Sequence, residues 1–206
     1  MNIAVIAANG RSGKAFVAEA LAAGHSVKAG VHGSSDLQPH EQLAVVPCDA
    51  TKEEDLRMLL EGQDAVVSFI GHVKGSPANV QTDAMNVLVR VMETLDVKRV
   101  VSLTGTGVRL PGDKISLVDR FLNFAVSVVD PARVNDGRNH VEVLKQSNLD
   151  WTVLRVLKLE NIPPMPFTLR EHGPTKWVVS RQDVAKAVLQ VLEEASFIRQ
   201  APILSR

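Results

Sequence analysis

Seven residues near the start of the chain, Ala7-Ala8-Asn9-Gly10-Arg11-Ser12-Gly13, separate two segments of different periodicity. Before them, Asn2 to Ala8 is a nearly continuous apolar run containing Ile3, Val5 and Ile6, the pattern of a strand buried on both faces of a parallel sheet. After them, Phe16, Val17, Ala20 and Leu21 recur at helical spacing between Ser12 and Ala23, Glu19 is free to face water, and Gly24 supplies a stop. A strand buried on both faces needs helices on both sides of its sheet, so this opening restricts the chain to an α/β fold.

The alternation persists. Strands are expected at about Ser26–Val31, Leu43–Cys48, Ala65–Ile70 and Arg99–Leu103, with helices at Lys52–Leu60 and Ala78–Leu95 among them. After Gly107 the pattern loosens into a loop with Pro111 and Gly112, followed by candidate helices from about Ile115 to Val126 and Ala132 to Ser147. A sixth strand, Trp151–Leu157, leads to Pro163, Pro164 and Pro166, whose fixed φ angles preclude a continuous helix there. A short strand near Trp177–Val179, a helix at Gln182–Glu194 and a tail strand near Pro202–Leu204 finish the series. No repeat or interdomain linker interrupts it, so one domain over residues 1–206 is expected, with residues from about 105 onward forming a small substrate-side portion.

Several classes of function are disfavoured at once. Twenty-three basic residues balance twenty-three acidic ones, and no tract of twenty apolar residues exists, so neither nucleic acid nor a membrane is an expected partner. Asn9, Gly10 and Arg11 break the first apolar stretch too early for a signal peptide, which makes the cytoplasm the expected compartment. The one cysteine, Cys48, lies in an apolar run and reads as a buried structural thiol. The six histidines include no i, i+4 pair, so no metal site is expected, and neither a lysine-bearing phosphate loop nor a Gly-x-Ser-x-Gly elbow occurs. Phe16, Phe121 and Phe124 occupy apolar positions and read as core or pocket walls.

The loop itself has chemistry to offer. Free N–H groups at a helix N-terminus, reinforced by the helix dipole, suit an anion such as the pyrophosphate of a dinucleotide. Gly10 would let the ligand's backbone-facing side approach closely, and Gly13 would let the helix pack on the sheet. The competing reading is a strand-to-helix turn with no ligand.

Together with Cys48-Asp49-Ala50, Gln63-Asp64-Ala65-Val66-Val67, Ser147 through Arg155 and Ser180-Arg181-Gln182-Asp183-Val184-Ala185, the loop resembles the extended and atypical short-chain dehydrogenase/reductase superfamily. That superfamily's loop usually reads Gly-Ala-Thr-Gly-x-x-Gly, and Ala7 stands here in place of its first glycine. The layout is most similar to the NAD(P)H-binding, NmrA-like branch that includes flavin reductase/biliverdin reductase B proteins. The resemblance implies a three-layer, Rossmann-like, doubly wound parallel sheet in a single domain, holding NAD(P)(H). It further implies that Ala7, Asn9, Gly10, Arg11, Ser12 and Gly13 cradle the phosphates and that Asp49 and Ala50 lie near the adenine. Phe69, Ile70 and Gly71 would line the adenine-ribose side, and Thr104 and Gly105 would flank the nicotinamide ribose. The rival reading of Asp49 is a residue of a helix N-cap region ahead of Thr51 and Lys52.

Strand two ends Val31-His32-Gly33-Ser34-Ser35, with Asp36 several residues beyond, so no carboxylate stands where NAD is commonly gripped. His32, and Arg11 in the glycine loop, favour NADP(H) over NAD(H), against the alternatives of an exposed loop histidine and a solvated helix-start charge.

The chain has no tyrosine, which excludes the Tyr-x-x-x-Lys acid of typical short-chain dehydrogenases. Hydride transfer would then suit a small-molecule acceptor whose own ring takes up electrons, a flavin or quinone, as the resemblance also implies. Thr104 and His140 are the candidate catalytic groups. His140 could relay a proton near neutrality or be structural, and Gly105 replaces a serine of the flavin reductase relatives. Arg155, also placed among the cofactor residues, would touch a ligand or pair with an acid. Glu142 and Lys145 read as surface charges. The alternative function is a non-catalytic, NmrA-like sensor of NADP(H) that binds a partner protein.

Overall fold

The computed structural model describes residues 1–114, 116–174 and 178–205. Strands β1 (Asn2–Ile6), β2 (Ser26–Val31), β3 (Leu43–Pro47), β4 (Ala65–Ser68), β5 (Arg99–Gly105) and β6 (Asp150–Val156) pair in parallel in the order β3-β2-β1-β4-β5-β6. The sheet continues through β10 (Ile203–Ser205), parallel to β6, to an antiparallel edge strand, β8 (Thr168–Arg170). β7 (Leu159–Glu160) and β9 (Val179–Ser180) form a separate small ribbon. This is the expected doubly wound sheet. Its order reverses between β1 and β4, the place where ligands of open α/β sheets collect.

Alternation along β1 explains the three layers. Ile3 and Val5 point into one core with Phe16, Val17 and Ala20 of α1 (Arg11–Ala22) and Val184, Val188 and Leu192 of α6 (Arg181–Glu193). Ala4 and Ile6 point into the other. There they meet Leu56, Leu59 and Leu60 of α2 (Glu53–Leu60), Leu88 and Met92 of α3 (Val80–Thr94), and Val141 and Leu144 of α5 (Pro131–Gln146). Both faces of the strand are covered, as its unbroken apolar pattern requires.

Three expectations are adjusted. Strand four ends at Ser68, and Phe69 and Ile70 belong to the segment beyond it. The strand expected near Trp177–Val179 is β9, while Trp177 lies outside the described residues, as does Ile115 before helix α4 (Leu117–Val129). Phe16 is core and Phe124 borders a cavity, but Phe121 is 71% exposed and outside the core, because α4 rides on the outside of the fold. β7 and β8 are too short to leave a periodic trace in the sequence.

Candidate functional site

β1 is joined to α1 by a turn in which Ala7 adopts φ +58°, the left-handed region that glycine fills without strain, at a cost of about 1–2 kcal/mol for an L-residue. Ala7 O accepts from Gly10 N at 3.0 Å and closes the turn. Gly10 itself has φ −70°, so its value is space: a Cβ there would lie 3.1 Å from Ala7 O. At Gly13 a Cβ would lie 2.4 Å from Ala7 O and 2.8 Å from the backbone of Ala8, so the helix seats on the strand end only because this residue has no side chain.

The start of α1 is left open. No side chain caps it and no acid stands in its first turn. The other described helices differ: α2 opens with Glu53, Glu54 and Asp55, and α4, α5 and α6 are capped by Ser116, Asp130 and Ser180. The start of α3 is capped from another element, because Asp136 of α5 accepts from the amides of Gln81 and Thr82, each at 2.9 Å, and from the Thr82 hydroxyl. Among the described helices, α1 alone presents its positive end without a carboxylate or a capping side chain, the electrostatic requirement of a phosphate seat.

Asn9 ties this seat to the end of β2. Its amide nitrogen donates to His32 O at 3.1 Å and Ser34 O at 2.9 Å, which fixes the glycine loop against the segment that the sequence singles out for cofactor choice. Arg11, His32, Ser34 and Ser35 are exposed there. Asp36 is drawn to α1 by Lys14, at 2.6 Å, and that ammonium holds its carboxyl below the usual range. Arg181, at the start of α6 with Nη1 on Asn161 at 2.7 Å, has its pKa lowered chiefly by burial and then by the charge of Arg11. The sequence reading had not placed Lys14 or Arg181 beside this loop.

Beyond β3, Asp49 accepts from the amide and hydroxyl of Thr51 at 3.0 and 2.7 Å, and these bonds depress its carboxyl. The carboxylate thus brackets the start of α2, and Ala50 packs on the adjoining core. Beyond β4, the Phe69 ring meets Phe16 of α1 with centroids 5.5 Å apart, Ile70 O accepts from Gln81 Nε2 at 2.8 Å, and Gly71 faces open space. At the end of β5, Gly105 is exposed while Thr104 is buried against α5, where a Cβ at Gly137 would sit 2.7 Å from the Thr104 hydroxyl.

His140 lies one layer deeper and is only 2% exposed. Its Nε2 is 2.9 Å from Ser102 Oγ, its Nδ1 is 3.3 Å from Gly137 O, and burial pushes its pKa down to about 4, so the ring is neutral at pH 7. It borders a cavity of about 10 Å³ between Ser68, Gln81 and Ser102, room for about one water molecule.

Arg155 pairs with an acid, one of its two open readings. Nη1 and Nη2 grip both oxygens of Asp113, and the remaining donors reach Ala201 O, Val108 O and Glu171 O. All five N–H groups of this fully buried guanidinium are engaged inside the protein, leaving none for a ligand. Its role is to clamp the loops that follow β5 and β8. Another pair escaped the sequence reading: His72, just past Gly71, has Nε2 2.8 Å from Asp136, and no local spacing links two residues so far apart.

A family model described as NAD(P)H-binding matches residues 7–195, from the left-handed Ala7 to two residues past α6. The chain belongs to the NAD(P)H-binding family. An uncharacterized chloroplastic protein of Arabidopsis thaliana is 27% identical over 211 residues, covering 94% of this NAD(P)H-binding chain and 73% of that protein. A short-chain dehydrogenase/reductase of Veillonella parvula, solved in complex with NADP, superposes with a TM-score of 0.83 at 21% identity, over 100% of this chain and 94% of that one. A protein of Streptococcus pneumoniae provisionally named an NADH-flavin reductase gives a TM-score of 0.80 at 21% identity, over 100% and 99% of the two chains. Likeness at these identities establishes the fold that this NAD(P)H-binding chain shares with them. No helix among the described residues is long and apolar enough to cross a membrane.

Proposed function

We propose that this NAD(P)H-binding protein is an NADPH-dependent reductase of a flavin, quinone or similar conjugated acceptor, working in the cytoplasm. The observation that carries the reading is the start of α1, the one described helix N-terminus free of both acid and cap, seated on the end of β1 because Gly13 has no side chain. Ala7, Gly10, Ser12 and Gly13 hold the pyrophosphate there, and Asn9 keeps the loop in register with β2. Arg11 and His32, with Lys14 neutralising Asp36, favour the 2′-phosphate of NADP(H) over the bare ribose of NAD(H). Asp49, Ala50, Phe69, Ile70 and Gly71 border the adenosine half; Thr104 and Gly105 border the nicotinamide ribose.

The bound dihydronicotinamide supplies a hydride. Thr104 orients the ribose, and neutral His140 acts from behind by holding Ser102 and the α5 backbone in place. With no tyrosine in the chain, His72, in the segment beyond β4 with its imidazole fixed by Asp136 of α5, is the side chain placed to pass a proton to the acceptor. Residues from about 105 onward form the acceptor side. The name of the Streptococcus pneumoniae neighbour is in keeping with this assignment.

One feature favours a second reading. Leu117, Phe121, Val128 and Val129 of α4 are exposed, and such a surface serves a non-catalytic, NmrA-like NADP(H) sensor that docks a partner protein. Titration of NADPH and NADH into the wild type, Arg11→Ala and His32→Ala proteins, followed by a panel of flavins and quinones, separates the possibilities. Each substitution is expected to weaken NADPH about tenfold and leave NADH unchanged, as for loss of one charge-assisted hydrogen bond. Unchanged NADPH affinity in both variants removes the 2′-phosphate assignment; binding without oxidation across the panel selects the sensor.

A further inference from the structure

We propose that the open cavity between the loop after β5, α4 and α5 seats the acceptor and selects one with a flat ring system and an anionic arm. This deepens the reductase reading and rests on it. The cavity measures about 430 Å³, within the range of small-molecule sites, and three arginines, Arg109, Arg120 and Arg138, share its wall with Leu117, Phe124 and Val134.

The charge balance decides the ligand's sign. Asp119 lies buried behind this wall, and Arg109 binds it in a fork, Nη1 on Oδ2 at 2.8 Å and Nη2 on Oδ1 at 3.3 Å. The Thr106 hydroxyl donates to the same carboxylate at 3.1 Å, and the Asn123 amide closes the network. Arg109 and Asp119 therefore cancel and form a rigid floor. Arg120 and Arg138 are exposed, and neither pairs with a carboxylate among the described residues. Two uncompensated guanidiniums facing one concavity attract a carboxylate or phosphate, which they can hold by forked, charge-assisted hydrogen bonds.

The apolar part decides the ligand's shape. Phe124 is 66% exposed although it lines a cavity, and a ring laid on it would remove that surface from water while the guanidiniums hold the arm. The wall of the cavity follows in sequence from residues of the proposed nicotinamide end. Gly107, two residues past β5, forms part of its wall, and Arg138 directly follows Gly137, the residue pressed against Thr104. The ring on Phe124 and the arm on Arg120 and Arg138 thus share one concavity next to the proposed nicotinamide end.

Riboflavin and FMN, which carry the same redox ring and differ by one phosphate, make the test. Their dissociation constants are to be measured by flavin fluorescence with NADP⁺ present, for the wild type, Arg120→Gln, Arg138→Gln and the double variant, with urea midpoints confirming that each folds. The wild type is expected to bind FMN about tenfold tighter than riboflavin, each substitution to narrow the ratio, and the double variant to bring it close to one. Equal wild-type affinities, a ratio preserved in the double variant, or no binding of either flavin overturns the inference. FMN bound preferentially through these arginines but not reduced by NADPH would remove the reductase reading and leave the anion site standing. Both flavins reduced with equal affinity would do the reverse.

Discussion

Asp113 is gripped on both carboxylate oxygens by Arg155, a guanidinium with no solvent exposure. Burial alone would raise the Asp113 carboxyl, but the Arg155 hydrogen bonds and charge, with the Leu110 amide, hold it below its ordinary range. Arg155→Met leaves that charge buried and unpaired and is expected to destabilise the fold by about 3–5 kcal/mol in urea unfolding at neutral pH. The double variant Arg155→Met, Asp113→Leu should recover a large part of the loss. If the single variant unfolds at the wild-type midpoint, the clamp is not structural.

Two glycines of the cleft should behave in opposite ways. At Gly13 the added Cβ of alanine meets backbone that cannot yield, so Gly13→Ala should cost about 1–3 kcal/mol and weaken NADPH as the start of α1 shifts. Gly71 has nothing within 4 Å of the same atom, so Gly71→Ala should leave stability within about 0.5 kcal/mol. A weaker NADPH titration in Gly71→Ala, at unchanged stability, would mark the cofactor's path past β4; an unchanged affinity removes Gly71 from the proposed site.

Acid should destabilise the protein in two stages. His140 binds fewer protons folded than unfolded between its ordinary pKa of 6.5 and its folded value of about 4, so stability falls as pH drops through that window, by roughly 3 kcal/mol in all. Asp113 and Asp136, both held below the ordinary 3.8, keep their contributions to that point and lose them only in stronger acid. Urea midpoints against pH for wild type and His140→Gln check this: the variant should lose the first slope and keep the second.

Cys48 should be chemically silent. Burial first, then the charges of Asp55 and Asp49, push its thiol up to about 12, so the reactive thiolate is scarce at neutral pH. A disulfide reagent should label it only under denaturing conditions; rapid labelling of the native protein would contradict the packed environment beside Gly30.

What the residues revealed in advance divides by distance along the chain. The glycine turn, the strand series and the apolar faces of the helices were readable because each depends on neighbours within a few positions. Ala7 marks the limit of that reading: its replacement of a glycine was visible, but only the structure shows it bearing the left-handed conformation. Arg155 with Asp113, Asp136 with His72 and the start of α3, and Arg109 with Asp119 join residues whose partnership depends on how elements are stacked. No periodicity encodes them. His140 was legible as a histidine on a helix, but its depth beneath Thr104 follows from α5 packing on β5 through Gly137.

The unequal treatment of α1 and α3 has a directional consequence. These helices follow β1 and β4, the two strands at the reversal of the sheet. A dinucleotide is itself built of two nucleotide halves and could enter the crevice there either way round. Asp136 already satisfies one of these helix starts, so of the two only the start of α1 keeps its positive end for an anion from outside the protein.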